Sequence, residues 1–538
     1  MNCEYSGRRL TIKTKDDKTR VFSVEDGALL SDALESASFD VERDCGGRGV
    51  CGSCRVKIVE SDGTVRNVLA CQTRVERDLT VFFEPKVLSK IIAPETSRFN
   101  SETIKPTAVE TQGELGLAVD LGTTTLVCAL VSLVTGRVLD VASTRNPQIS
   151  FGSDVISRIS AANDPNKTER MRRSVAQEIG KIVCASTRKL RLVPSSIREI
   201  VVAGNTAMEL LFVGRNVSPL GVAPFDFGSK IFPDYRADFF NWGVSFERSA
   251  RVRVFPVFSP FVGGDLVSGL ARLRRLGAFD DDKTALLLDV GTNGEAILTR
   301  KGRFFATATA AGPALEGSEI SIGSLAVPGA IYLLQANVER KTWIPRWFGD
   351  GAPKSLCGSG LIDALAVALD FGLISPNGRI REANSPEIKL AGRIESLGMR
   401  ALLLTNPPYV ADRGLRLSQR DVRQAQLAIG AIKTGLRALL ENANVSAEEL
   451  DAFYLSGGFG SSLDKYSSQR VGLIPKGVAL ERVCYCGNSS LDGAVDALLG
   501  RVEWERLPEL CDVVKNVDLA TLENFSEIFA EETRFPSP

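Results

Sequence analysis

Histidine is absent from all 538 residues of the chain. Without imidazole there is no His-ligated zinc site, no Rieske-type centre and no Ser–His catalysis. Proton transfer then falls to carboxylates, Lys, Tyr, Cys or water, and a metal must be held by thiolate or oxygen ligands. Net charge is missing too, because 65 Lys and Arg balance 65 Asp and Glu. Such a surface lacks the basic footprint that nucleic-acid binding needs. No uncharged apolar run reaches the ~18 residues of a membrane span; the most apolar stretch, "GLAVDLGTTTLVCALVSLVTG", contains Asp120. The start, "MNCEYSGRRL", has no apolar signal-peptide core, so a cytoplasmic protein without membrane contact is expected. What is present is ordinary soluble composition, 44% hydrophobic and 24% charged, on a chain too long for one core.

The cysteines are unevenly spread. "DCGGRGVCGSC" holds Cys45, Cys51 and Cys54, and "VLACQTRV" adds Cys71, giving C-x5-C-x2-C-x16-C. In a cytoplasmic chain this grouping points to metal rather than to disulfides. The C-x2-C pair can grip one metal ion, and the surrounding glycines let backbone N–H groups approach an inorganic core. Four-thiolate zinc is the alternative, yet zinc ribbons bring two C-x2-C knuckles and only one is here. Plant-type ferredoxins use C-x4-C-x2-C and a distant fourth Cys, close to the present spacing. Around it, "RRLTIKT" and "TRVFSVEDG" read as paired strands, "LLSDALESAS" as a helix, "CRVKIVE" and "LTVFFEP" as strands. That order resembles the β-grasp [2Fe–2S] ferredoxins, which implies that Cys45, Cys51, Cys54 and Cys71 hold a [2Fe–2S] cluster. The gap before Cys71 is shorter than in most of that family, cut to a hairpin at "ESDGTVRN", which leaves two readings open: an unusually exposed cluster, or a fourth ligand other than Cys71. Cys3, Cys128, Cys184, Cys357 and Cys511 stand singly and read as incidental thiols. Cys484 and Cys486 in "VCYCGN" read as two packed core thiols on one face of a strand.

Residues 88–113 turn polar and aperiodic and read as a linker. Beyond them, "LGLAVDLGTTTLVCALVSLVTGRVL" runs an apolar strand into Asp120, Gly122, Thr123 and Thr124 and back into a strand. "TALLLDVGTNGEAILTRKGRFF" repeats the plan with Asp289, Gly291, Thr292 and Asn293. In each, glycine lets backbone N–H groups reach an anion, Thr and Asn add donors, and Asp can hold Mg2+ or its waters. One D-x-G-T is a common turn; two copies predict two similar lobes facing each other across a phosphate. No Walker loop is present. A third element, "LDAFYLSGGFGSSLD", runs a strand into Gly457, Gly458 and Gly460.

Together the three elements resemble the actin, sugar kinase and heat-shock chaperone ATPases. That resemblance implies that Gly457 and Gly458 approach adenosine, that the two hairpins cradle phosphates, and that Asp120 and Asp289 are ligands of Mg2+. Glu295 and Asp265 are candidates to orient the attacking water; Asp265, in "VGGD", equally suits the cap of the helix "LVSGLARL". The fusion of the two parts resembles the reductive activators of corrinoid proteins. The likeness extends to "VVAGNTAMELLF", "FVGGDLVSGL", "ATATAAGPALEGSEISIG", "SLCGSGLIDALA", "LSQRDVRQAQLAIGAIKTG" and "LSGGFGSSLDKYSSQRVGLIP". It implies an α/β multidomain chain with a ferredoxin domain at 1–87, a linker at 88–113, actin-like (ribonuclease H-like) lobes at 114–282 and 283–500, and a C-terminal segment at 501–538. It also implies ATP with Mg2+ as substrate, a corrinoid protein of a methyltransferase system as electron acceptor, and an upstream low-potential donor; a homodimer is compatible with it. Plant-type clusters lie near about −400 mV and the Co(II)/Co(I) couple is expected lower. A gap of ~100–200 mV would hold Co(I) to about a few per cent without ATP.

Three other functions fit the same motifs. One is an ATP-driven activator of another low-potential acceptor, although those of this ATPase fold share a [4Fe–4S] cluster between subunits. Another is an ATP-binding redox sensor that does not turn over. The third is a small-molecule kinase with an appended ferredoxin.

Overall fold

The computed structural model describes residues 7–14, 19–37, 39, 41, 54–60, 63–83, 106–337, 342–382, 394–397, 399–405, 414–458 and 463–537. Cys3, Cys45, Cys51, Gly460 and most of the stretch read as a linker lie outside them. At the N-terminal end five strands form one sheet in the order Thr19–Glu25, Gly7–Thr14, Leu79–Phe83, Arg55–Val59, Val65–Leu69. Gly7–Thr14 runs antiparallel to Thr19–Glu25 and parallel to Leu79–Phe83. Strand alternation puts Leu10, Ile12, Val56, Ile58 and Val81 on one face, where they pack against Leu30, Ala33 and Leu34 of the helix Leu30–Ser36. The hairpin at "ESDGTVRN" turns through Gly63, whose φ of +85° is the left-handed conformation glycine takes without a Cβ clash.

The remainder holds two six-stranded sheets built on one plan. In the first, Leu115–Leu121, Thr125–Ser132 and Val138–Arg145 form an antiparallel meander, and Ile197–Gly204 and then Arg251–Val254 add in parallel beside Leu115–Leu121. In the second, Thr284–Val290, Gly294–Arg300 and Arg303–Thr309 form the meander, and Ala452–Ser456 and Val483–Gly487 are the parallel strands. The duplicated motif in the sequence is thus a duplicated sheet.

Alternation along the central strands sorts their side chains into separate cores. Leu117, Val119 and Leu121 face the outer layer of the first lobe, under the helices Pro165–Leu190 and Thr206–Val213. Leu286, Leu288 and Val290 face the outer layer of the second, under Gly358–Asp370 and Gln419–Ala443. The opposite faces, with Ala118, Val127, Val201, Ala285, Leu287 and Ile297, share one middle core. Two helices fill that core between the sheets: Gly264–Arg275 and Ser489–Leu498. They are tied by Asp496, fully buried, which accepts from Arg272 at 2.6 Å, Arg275 at 2.9 Å and Arg501 at 3.3 Å.

Chain order and spatial grouping part company at both ends of this region. The helix Ala108–Gln112, inside the stretch read as a linker, is anchored to the first lobe by buried Glu110, which accepts from Thr135 and Arg137. Beyond residue 500, Val514–Asn516 joins the second sheet beside Arg303–Thr309, and Phe525–Glu532 packs on Gln419–Ala443. Cys484 and Cys486 are not the packed core thiols expected: Val483–Gly487 is an edge strand, leaving Cys484 exposed and Cys486 half-buried. Among the described residues no helix is long and apolar enough to cross a membrane.

Candidate functional site

Cys54 ends the turn before Arg55–Val59, and Cys71 lies in the short turn Ala70–Gln72 after Val65–Leu69. Antiparallel register pairs Arg55 with Leu69, so the hairpin brings the flanking cysteines together. Their Sγ atoms are 3.2 Å apart. A disulfide requires about 2.05 Å, whereas two thiolates at ~2.3 Å from one tetrahedral metal stand ~3.8 Å apart. The observed separation falls between the two, so the pair is unbridged and needs only a small spreading to share one metal ion, and Gln72 Nε2 approaches Cys71 Sγ at 3.7 Å. Both cysteines are buried despite the short gap between them. Cys45 and Cys51 fall outside the described residues.

The second site is a cleft of about 1120 Å³, part of it continuous with solvent, between the two lobes. From the first lobe come Asp120, Gly122, Thr123, Thr124 and Asp265; from the second, Asp289, Gly291, Thr292, Asn293, Glu295, Gly457 and Gly458. All twelve nucleotide-site residues singled out in the sequence thus line one cleft.

The first hairpin tip is held from behind. Asn146 Nδ2 donates to the Gly122 carbonyl at 2.8 Å, Arg158 Nη2 to the Thr123 carbonyl at 2.6 Å, and Asn205 Nδ2 to Thr123 Oγ1 at 2.7 Å. Asn205 also caps the helix Thr206–Val213. With these anchors in place, Thr124 points across the cleft. Its Oγ1 lies 2.8 Å from Thr292 Oγ1 of the second hairpin, and both hydroxyls donate to Glu316 Oε2. The lobes meet at that contact.

The two aspartates are fixed by the same helix start. Asn488 caps Ser489–Leu498 and donates to Asp120 at 2.7 Å, and Ser490 donates at 2.9 Å. Ser456 Oγ donates to Asp289 at 2.8 Å and touches Ser489 Oγ at 2.7 Å. Asp265 sits in the first turn of Gly264–Arg275, whose N-cap is Gly263, and accepts from the Leu266 N–H at 2.8 Å. It therefore lines the cleft and satisfies a helix-start donor at once. Gly457 has φ +105° and lies so close to the second hairpin that a Cβ there would stand 2.3 Å from the Val290 carbonyl; around Gly458 nothing lies within 4 Å of a Cβ.

Burial and mutual repulsion raise this carboxyl group set together. Burial, opposed by the Ser456 hydrogen bond, lifts Asp289 to about 6. Burial and the neighbouring Asp289 charge lift Asp265 to about 8. Asp120, Glu295 and Glu316 are raised, chiefly by burial. So many crowded carboxyls favour an incoming cation. Among the described residues no three carboxylates or thiols converge closely enough to cage a metal ion.

Asn146, Arg158, Asn205, Glu316, Ser456, Asn488 and Ser490 were not singled out in the sequence. Asn205 and Glu316 lie inside quoted blocks, "VVAGNTAMELLF" and "ATATAAGPALEGSEISIG". For Asn205 the signal was a polar residue directly after an apolar strand and its glycine; Glu316, in a turn well past its strand, carried no such signal.

Three family models match the chain: the 2Fe-2S iron-sulfur cluster binding domain over residues 13–76, the RACo middle region over 115–274, and the C-terminal domain of RACo, the ASKHA domain, over 283–538. A solved structure titled "Reductive activator for corrinoid,iron-sulfur protein" superposes with a TM-score of 0.71 at 26% identity, covering 98% of both chains. The "Corrinoid activation enzyme RamQ" of Eubacterium limosum is 27% identical over 95% of this chain and 97% of its own. The "[Co(II) methylated amine-specific corrinoid protein] reductase" of Methanosarcina barkeri is 26% identical over 78% and 77%. The expected order of a ferredoxin domain followed by an actin-like ATPase region is the one found.

Proposed function

Since the chain belongs to the RACo family of reductive activators, whose middle region and ASKHA domain span most of its length, we propose that it returns Co(II) corrinoid on a partner protein to Co(I), one electron at a time and at the expense of ATP. The observation that carries this is a thiolate pair spaced for shared metal ligation at one end and phosphate hairpins from two lobes meeting over one cleft at the other. An electron carrier needs no ATP, and an ATPase needs no cluster; their union fits an uphill electron transfer.

Cys45, Cys51, Cys54 and Cys71 would hold the [2Fe–2S] cluster, which when bound supplies a one-electron carrier of low potential. Asp120 and Asp289, oriented by Asn488, Ser490 and Ser456, would hold the Mg2+ that accompanies ATP. Thr123, Thr124, Thr292 and Asn293, with the backbone at Gly122 and Gly291, receive the phosphates; Gly457 and Gly458 leave room for adenosine. The hairpins of the two lobes already touch without nucleotide, so seating a phosphate between them rearranges that contact, and this rearrangement is the two-state element able to change how the chain grips its partner. The two relatives, named for corrinoid activation and for reduction of a corrinoid protein, support a corrinoid protein as that partner; the corrinoid subunit of a methyltransferase system is the one proposed. An upstream low-potential donor in the cytoplasm recharges the cluster.

The test is partner-dependent turnover. Steady Mg–ATP hydrolysis is expected to rise when a Co(II) corrinoid protein is added, because two processes linked by one rearrangement influence each other. Hydrolysis that instead rises with a sugar or organic acid, and phosphorylates it, contradicts the proposal in favour of a kinase.

A further inference from the structure

The geometry points to Glu316 as the catalytic residue that takes the proton from the water attacking the γ-phosphate of ATP. This rests on the ATPase reading of the cleft and replaces Glu295 and Asp265 in that role. Glu316 ends the turn Pro313–Glu316 that follows the last strand of the second meander. The turn is rigidly aimed: the next residue, Gly317, has φ +85°, and a Cβ on it would lie 2.5 Å from Ser324 backbone atoms. From this position one carboxylate oxygen reaches the hairpin threonines of both lobes.

Counting protons shows how that contact works. Thr124 Oγ1, Thr292 Oγ1 and Glu316 Oε2 form a triangle of three short contacts. Each hydroxyl has one proton to donate. Without nucleotide the carboxylate takes both. A γ-phosphate seated between the hairpins offers the hydroxyls better-charged acceptors, and each proton can serve only one of them. Once they turn, Glu316 Oε2 has lost its donors at the far edge of the phosphate, and a water there supplies the replacement. That water is thereby oriented with its lone pair toward phosphorus.

The step balances. The water oxygen bonds to the γ-phosphorus while the bond from that phosphorus to the bridging oxygen breaks, its electron pair leaving on ADP. The water proton passes to Glu316 and on to solvent, and the products are ADP, inorganic phosphate and one proton. Burial raises Glu316 above the ordinary carboxyl range, against the Thr292 and Thr124 hydrogen bonds and the Arg158 and Arg145 charges of the first lobe, so the group is poised to accept a proton. Arg158 is locked in place by the Gly152 and Thr123 carbonyls. Glu295, by contrast, faces Asp265, Asp289 and the Asn293 side chain, which groups it with the carboxyls of the cleft rather than with the hairpin threonines. The triangle also draws on both lobes, so hydrolysis needs the two hairpins held together.

The test compares E316Q, E316D, E295Q and D265N in the full chain, with calorimetry for Mg–ATP affinity and single-turnover phosphate release for the chemical step. E316Q is expected to bind Mg–ATP within about threefold of the parent and to lose at least ~100-fold in turnover, the usual share of a general base. E316D, which keeps the base on a shorter arm, recovers part of that loss. An unaltered visible cluster spectrum and circular dichroism establish that the variants are folded. Turnover of E316Q within threefold of the parent overturns the assignment. So does a fall in Mg–ATP affinity that matches the fall in rate, which would make Glu316 a ligand of the cation. If the parent chain itself hydrolyses no ATP, it is the ATPase reading that fails.

Discussion

Asp265 and Asp289 carry the clearest consequence at the scale of single residues. Both are held above the ordinary carboxyl range, to about 8 and about 6, by burial and by the charges beside them. A carboxyl raised in the folded state binds more protons there than in the unfolded chain. Its cost to stability is therefore absent below the unfolded pKa, grows as pH rises, and is complete above the folded value. The nucleotide-free protein is expected to lose thermal stability between about pH 4 and about pH 8, and D265N should flatten that slope. Unfolding midpoints across this range, parent against D265N, check it; equal slopes would contradict it. At the other end of the chain, Cys71→Ala should remove the cluster's visible spectrum while Mg–ATP affinity stays at the parent value. An unaltered spectrum in that variant would deny the Cys54–Cys71 pair its role as ligands.

Among the elements, the two helices between the sheets bear most on the site, because Gly264–Arg275 presents Asp265 and Ser489–Leu498 begins with the residues that orient Asp120. Their mutual position depends on buried Asp496 and its arginines. Asp496 is the buried member while its arginines are partly exposed, so removing it costs the charge-assisted hydrogen bonds rather than stranding a buried charge, at about 1.5–3 kcal/mol. D496A is expected to show that loss in denaturant unfolding; a change under about 1 kcal/mol would mean the arginines find solvent at no cost. The two neighbouring glycines provide a contrast. G457A forces a Cβ against the Val290 carbonyl from a positive φ, so stability and nucleotide affinity should both fall, whereas G458A meets open space and should fold normally. Calorimetry of the two variants with Mg–ATP separates them.

These elements also show what the sequence could carry. The hairpins were legible because each packs an apolar strand, an aspartate and a glycine turn into a few neighbouring residues, and the repeat raised a common turn above chance. Glu316 was not legible, since its meaning lies in Thr124, 192 residues away. The same holds for Ser489–Leu498: chain order assigns it to the second lobe, but its apolar face packs against Gly264–Arg275 and the first sheet. Val514–Asn516 is too short for periodicity to register, and only the open edge at Arg303–Thr309 makes it a strand.

At the scale of the whole molecule, one chain joins a 2Fe-2S domain to an ASKHA ATPase domain, and the value of the fusion, on the proposed function, lies in coupling them. The measurement that reaches this most directly is the Co(I) absorption of a corrinoid partner mixed anaerobically with the reduced protein, with and without Mg–ATP. Co(I) should build up only when Mg–ATP is present, and E316Q should bind nucleotide yet sustain no repeated cycles. Full Co(I) formation without ATP would show that no uphill step exists, and the proposed activation of a corrinoid partner would then be contradicted.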